Sequence, residues 1–274
     1  MKVGIVAQRG NGRAAGLAEQ LDEQLGADGV DVLLDETTAG SLGLEGVPVD
    51  RLADCDLAVS IGGDGTFLYA ARGVGTTPLL GVNLGEVGFL NAVPPEDAVD
   101  AVTREVEAYR AEGVVAAREL SRLVVRGPDW TLPPALNEVV VQGARRGPGG
   151  GVEYAVRVDG SLYTGGQSDG LLVATPTGST AYNLSEGGPL VHPRVAATVV
   201  TEMVAREPMP PLLVSEDATV SVAVESGPEA YAIADGRTRR RLEPPAEVTV
   251  ERAAEPVRVA GPQVDFFEAL GKLD

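Results

Sequence analysis

Short aliphatic runs alternate with amphipathic stretches through residues 1–112, and no other feature limits the possible folds as tightly. Val3-Gly4-Ile5-Val6-Ala7, Val30 to Leu34, Leu57 to Ile61 and Pro78 to Asn83 are apolar runs of strand length. Between the first two, Leu17, Leu21 and Leu25 recur at four-residue spacing, so Arg13 to Leu25 reads as an amphipathic helix ending near Gly26 or Gly29. Pro94-Pro95-Glu96-Asp97 opens a further helix with Val99, Val102, Val106 and Tyr109 on one face; proline and acids both favour a helix start. Residues 36–48, rich in Gly, Thr and Ser, read as a loop. The alternation predicts an α/β domain over 1–112 with a Rossmann-like, mostly parallel sheet. Ligands of such sheets bind beyond the carboxyl ends of the strands.

After about residue 112 the pattern becomes short strands punctuated by glycine turns. Tyr154, Val156 and Val158 alternate with Ala155 and Arg157, Asp159-Gly160 is a hairpin signal, and Val220, Val222 and Val224 alternate likewise. Residues 113–262 are therefore expected to form an all-β domain of two packed sheets. Residues 263–274, with Phe266-Phe267-Glu268-Ala269-Leu270, read as a short helical tail returning to the first domain. Gly143 to Gly151 reads as a hairpin tip whose Arg145 and Arg146 are solvated charges or phosphate contacts.

Composition excludes several classes. A net charge of −18 and a pI near 4.4 argue against a nucleic-acid binder, which needs a basic face. The only lysines among the 22 basic residues are Lys2 and Lys272, a balance that suits a protein working in high salt. With 44% hydrophobic but only 4% aromatic residues, the core must be aliphatic. The single Cys55 and single His192 preclude an intrachain disulfide and a histidine-rich metal site. No membrane span is visible, Met1 to Gln8 reads as a strand rather than a targeting segment, and a cytoplasmic location is expected.

Two stretches carry the chemistry and are expected to meet. In the first, Ile61-Gly62-Gly63-Asp64-Gly65-Thr66 joins a strand to a helix. Backbone N–H groups of such a turn, with the helix N-terminus, face an anion. Asp64 beside a phosphate cradle fits a general base, a magnesium ligand or a helix cap. In the second, Thr175-Pro176-Thr177-Gly178-Ser179-Thr180-Ala181-Tyr182 follows a buried strand beginning at Asp169-Gly170. Its hydroxyls cap a turn or bind a polar ligand, and Tyr182 offers a stacking face. Asn137-Glu138 opens a strand; the two are either loop residues at a strand start or polar contacts, since a carboxylate can accept from two vicinal ribose hydroxyls.

Together with Gly81-Val82-Asn83-Leu84-Gly85-Glu86-Val87-Gly88-Phe89-Leu90 and the run from Thr175 to Pro189, these motifs resemble the NAD kinase family over nearly the whole chain. The resemblance implies transfer of a γ-phosphoryl group to the 2′-hydroxyl of NAD's adenosine ribose, giving NADP. It makes Asp64 the proton acceptor, and Gly62, Gly63, Gly65 and Thr66 the phosphate turn. Asn137 and Glu138 would hold the adenosine side, and Thr180, Ala181 and Tyr182 the adenine pocket. Asp169 and Ser185 would reach the nicotinamide side or a neighbouring subunit's ligand. The expected donor is ATP or polyphosphate with a divalent metal such as Mg2+, with no protein metal ligand assigned, and the expected assembly is a homodimer or tetramer. Basic residues common in the family are replaced here by Glu86, Gln167 and Tyr69, which leaves Arg72, Arg145 and Arg146 as substitutes. A lipid or sugar kinase of the same superfamily, or a non-catalytic dinucleotide sensor, are the alternatives; the first is expected to lack Asn137-Glu138 and the Thr175–Tyr182 run.

Overall fold

The computed structural model describes all residues except 86–87, 146, 148–150, 228 and 273–274; Glu86 and Arg146 therefore lie outside the described residues. The chain divides into two compact units, Met1–Leu120 with Glu255–Asp274, and Ser121–Ala254. The division thus falls later than residue 112 and earlier than residue 262, because one strand after residue 112 and another before residue 262 complete the first sheet.

In the first unit, β1 (Lys2–Ala7), β2 (Asp31–Leu34), β3 (Leu57–Gly62), β4 (Leu79–Asn83), β5 (Ala117–Leu120) and β17 (Val257–Ala260, the last strand in the chain) form one sheet. Its order is β2-β1-β3-β4-β17-β5, parallel from β2 to β17 and antiparallel only at β5. Helices α1 (Gly12–Ala27), α2 (Glu36–Leu42), α3 (Asp64–Gly73) and α4 (Ala98–Glu112) alternate with the strands. Every residue of β3 is buried, as the centre of a sheet covered on both faces requires. Leu21 and Leu25 of α1 and Val102 and Val106 of α4 enter one core with Val3, Ile5, Val59 and Ile61. Strand order reverses between β1 and β3, so the loops after these two strands flank the switch point where α/β sheets bind ligands.

The loop expected over 36–48 is corrected: Glu36–Leu42 is α2. The Asp35 carboxylate caps it by accepting from the N–H groups of Thr37 (3.2 Å) and Thr38 (3.1 Å), and Gly43 ends it at φ 71°. Ala39 is fully buried in the core. A cap and tertiary burial overcome the weak helix propensity of Gly, Thr and Ser.

The second unit is a sandwich of two antiparallel sheets. One has six strands, β12 (Leu212–Ser215), β11 (Ala197–Met203), β10 (Gly170–Ala174), β7 (Glu138–Gly143), β14 (Ala230–Ala234) and β15 (Thr238–Leu242), in that order. The other has five, β6 (Leu123–Arg126), β16 (Ala246–Arg252), β13 (Val220–Ser226), β8 (Val152–Val158) and β9 (Ser161–Ser168). Alternate residues face inward: Val139, Val141, Leu171 and Val173 meet Tyr154, Val156, Val220, Val222 and Val248. The residues between them, Val140, Leu172, Ala174 and Val199, form a second core on the outer face, with Val191 and Tyr182 packed against it. This outer core seats the short helix α5 (Tyr182–Ser185) and the turn before it. The tail forms α6 (Phe266–Leu270) in the first unit, where Phe266 packs against Phe89 with ring centroids 6.2 Å apart.

Candidate active site

Two groups of predicted residues are built, one in each unit. In the first unit β3 ends at Gly62 and α3 starts at Asp64, with the cap position taken by Gly63 (φ −92°, ψ −176°). Asp64 is therefore not the cap. Its carboxylate turns away from its own helix and accepts from the N–H of Phe89 (3.0 Å), the N–H of Leu90 (3.3 Å) and Asn91 Nδ2 (3.1 Å). These bonds tie the segment after β4 to the glycine turn and fix the carboxylate in place. A carboxylate offers about four acceptor sites, so one is left for a further donor. A Cβ on Gly62 would lie 2.5 Å from Thr66 Oγ1, so only glycine fits there. Gly63 and Gly65 have no atom within 4 Å of such a Cβ, so the turn's outer side is open. A cleft of about 580 Å³ has Gly88 and Asn91, the neighbours of Asp64, on its wall together with Arg13, Asn83 and Lys272.

In the second unit Asn137 and Glu138 open β7 beside the end of β10, where Glu138 pairs with Ala174. The Thr175–Ser179 turn is stitched to them. Thr175 N–H donates to Asn137 O (2.9 Å), and Thr175 Oγ1 donates to Leu136 O (2.6 Å) while accepting from Gly178 N–H (3.0 Å). A Cβ on Gly178 would fall 2.0 Å from Asn137 O, so that approach demands glycine. The hydroxyls of this run mostly serve the backbone: Ser179 bonds Pro176 O (2.7 Å) and Val191 N–H (3.0 Å), and Thr180 reaches Thr177 O (3.3 Å). Ala181 and Tyr182 are half-buried and Ser185 is exposed.

Glu138 is 6% exposed, and its Oε2 has no hydrogen-bond partner. Burial first, and the nearby Asp235 charge second, push its carboxyl up to about 8. A buried polar atom without a partner is costly, and a ligand donor removes the cost. Sequence reasoning missed the residue behind this arrangement. Asp235 Oδ1 accepts from the N–H groups of Asn137 (2.8 Å) and Glu138 (3.3 Å), and its Oδ2 from that of Leu136 (3.0 Å). The Asp235-Gly236 hairpin signal was the available clue.

Asp169 is not brought to this end of the sheet. It precedes β10, whereas Thr175 follows it, and a strand of this length separates the two by roughly 20 Å. Its carboxylate instead accepts from Gly147 N–H (2.9 and 3.0 Å) in the hairpin tip. Arg145 and Gln167 are exposed, and Tyr69 is 36% exposed. His192 sits in a turn, accepting from Arg194 N–H at 3.2 Å. Among the described residues no group of three His, Cys, Asp or Glu could hold a metal ion, and no helix is long and apolar enough to cross a membrane.

A carboxylate fixed beside an open glycine turn at a switch point is the equipment of a phosphotransferase, and a buried carboxyl awaiting donors suits a hydroxyl-bearing acceptor. Residues 3–109 match the ATP-NAD kinase N-terminal domain and residues 136–261 the ATP-NAD kinase C-terminal domain. The chain belongs to the NAD kinase family and is an enzyme that phosphorylates NAD. It is 60% identical to the NAD kinase of Halorubrum lacusprofundi and 54% identical to that of Natronomonas pharaonis, in each case over 100% of both chains. Both relatives come from halophilic archaea, in keeping with the acidic composition. An Archaeoglobus fulgidus NAD kinase solved with ATP superposes with a TM-score of 0.80 at 27% identity, covering 100% of this chain and 98% of that one. A yeast NADH kinase solved with NADH shares the fold, with a TM-score of 0.87 at 22% identity over 100% of this chain and 87% of that one.

Proposed function

We propose that the chain transfers the γ-phosphoryl group of ATP to the 2′-hydroxyl of the adenosine ribose of NAD, releasing ADP and NADP. The observation that carries this reading is the buried, unpartnered Oε2 of Glu138 at the start of β7. The vicinal hydroxyls of a ribose supply the donors that oxygen lacks, and Asn137 next to it contributes an amide donor and acceptor. Thr180, Ala181 and Tyr182, held beside Asn137 by the Thr175–Ser179 turn, are assigned to the adenine.

Asp64 takes the proton of the attacking hydroxyl. A ribose hydroxyl is a weak nucleophile until a positioned base accepts its proton, a contribution of about 10²–10⁴ in rate. Three hydrogen bonds from residues 89–91 hold that carboxylate in orientation, so little reorganisation is needed as the proton moves. The open backbone of Gly63 and Gly65, with the N-terminus of α3, faces the transferring phosphoryl group. Arg13 and Lys272 on the neighbouring cleft add positive charge for the donor's phosphates. A divalent metal, Mg2+ by preference, would come with the donor rather than be held by carboxylates among the described residues, and would supply charge neutralisation for the transferring phosphate.

Asp169 and Ser185 are assigned to the nicotinamide side or to a neighbouring subunit's ligand, and the position of Asp169 at the far end of β10 supports the second of these. The assembly we propose is a homodimer or tetramer. The single, buried Cys55 suits a cytoplasmic enzyme. The test is product formation from NAD or NADH with ATP or polyphosphate and magnesium, at low and molar KCl. NADP with the new phosphate on the 2′-oxygen is expected. Phosphate on another hydroxyl, or no product with any donor, overturns the reading.

A further inference from the structure

We propose that Asp235 is the positioning residue that holds Asn137 and Glu138 for the NAD ribose, an inference that rests on the ribose assignment above. Asp235 closes the hairpin between β14 and β15 with Gly236, and both residues have left-handed backbone, φ 45° and 64°. Asp is among the few residues that accept this conformation at small cost. Its N–H donates to Glu138 O at 3.0 Å, while its carboxylate receives the consecutive N–H groups of Leu136, Asn137 and Glu138. One side chain therefore satisfies every backbone donor of the strand start from which both ribose-binding side chains project. Bonds of this kind, from backbone N–H to an ionised acceptor, are short and about twice as strong as neutral ones.

The same carboxylate acts on Glu138 through charge. Across from Glu138 on one side is the apolar Ala174, and on the other is the Asp235 turn. Beyond burial, Asp235 is the charge that raises the Glu138 carboxyl. Positioning and repulsion thus come from one residue. Asp235 fixes where the acceptor oxygen stands and, after burial, adds to the rise of the Glu138 carboxyl to about 8, so that NAD binding to the carboxylate is linked to release of a proton. NAD binding should then tighten as pH rises toward about 8.

Two variants test this. Asp235→Asn keeps the turn but removes the charge and sets an amide against Leu136 N–H. Asp235→Gly keeps the left-handed backbone without strain and deletes the side chain. Above about pH 8, where Glu138 is ionised in wild type and variants alike, both should raise KM for NAD by about tenfold and leave kcat nearly unchanged, because Asp64 is untouched. Both should also move the acid limb of kcat/KM for NAD to lower pH, the direction that loss of the Asp235 charge requires. An unchanged KM for NAD in either variant, an acid limb at its original position, or loss of the fold in both overturns the inference. Glu138→Gln is the control for the underlying assignment. If it leaves KM for NAD unaltered, the ribose reading itself fails; if it raises KM while the Asp235 variants do not, only the positioning role fails.

Discussion

Glu138 and Asp64 are both carboxylates within motifs, yet their surroundings give them opposite duties. Three donors satisfy Asp64, whereas Glu138 is buried with one oxygen unmet. Asp64→Asn keeps the size of the side chain but cannot take a proton, so turnover should fall by about two to four orders of magnitude. NAD affinity should change little, and kinetic measurements with NAD varied check both. Recovery of the variant by excess magnesium would instead make Asp64 a metal ligand. Glu138→Gln should weaken NAD binding by an order of magnitude or more, since a hydrogen bond to a charged group is worth about 1.5–3 kcal/mol. The same variant has a stability signature. The folded-state carboxyl titrates at about 8, above its ordinary value of 4.5, so the native state retains a proton that the unfolded chain has released. Stability of the wild type is therefore fully kept below the ordinary value and lost as pH rises through that window. The melting temperature of Glu138→Gln should gain on the wild type from acid pH to about 8 and run parallel to it beyond; a constant gap across that range refutes the titration. Asp64, Asn137 and Glu138 could be proposed from the sequence because each stands in a motif. Asp235 was not, because its partners lie about a hundred positions earlier in the chain and only the folded hairpin joins them.

The glycine turn separates packing from chemistry within a single element. A methyl group at Gly62 collides with Thr66 and Gln8, whereas one at Gly63 meets only open space. Gly62→Ala should cost about 1–3 kcal/mol by overpacking, visible as a lower melting temperature together with lost activity. Gly63→Ala should melt as the wild type does, yet raise KM for ATP, because the added methyl stands where the phosphates approach. If Gly63→Ala keeps its KM for ATP, the donor does not lie against this turn. Strands β1, β3 and β4 were readable as apolar runs, and the faces of α1 and α4 from their four-residue spacing. Helix α2 was not, since its formation depends on the Asp35 cap and on burial of Ala39 rather than on propensity. The hydroxyls from Thr175 to Thr180 illustrate a further limit. Their crowding was visible, but whether they face a ligand or their own backbone is decided by the turn geometry, which turns most of them inward.

Over the whole molecule, 40 acidic residues stand against 22 basic ones. Repulsion among exposed carboxylates opposes compaction and is screened over about 10 Å at 0.1 M salt and 3 Å at 1 M. Melting temperature and specific activity should both rise from low to molar KCl. A flat or falling response in both would show that the acidic surface does not adapt the fold to salt. The αβ and all-β halves were apparent from the change of period near residue 112, but the placement of β5 and β17 was not. Nothing local in Val257–Ala260 says that it will lie between β4 and β5, since strand order is a property of the assembled sheet.

That interleaved last strand also sets a timetable for biosynthesis. The sandwich is one uninterrupted segment, so all of it has left the ribosome once Ala254 has cleared the exit tunnel. The unit begun at Met1 has to wait longer: the edge of β4 stays unpaired until Val257–Ala260 emerges, although its first four strands were made long before. The N-terminal half is thus translated first and closed last, and a chain cut back to Ala254 would hold every strand of the sandwich but a first sheet with an open seam.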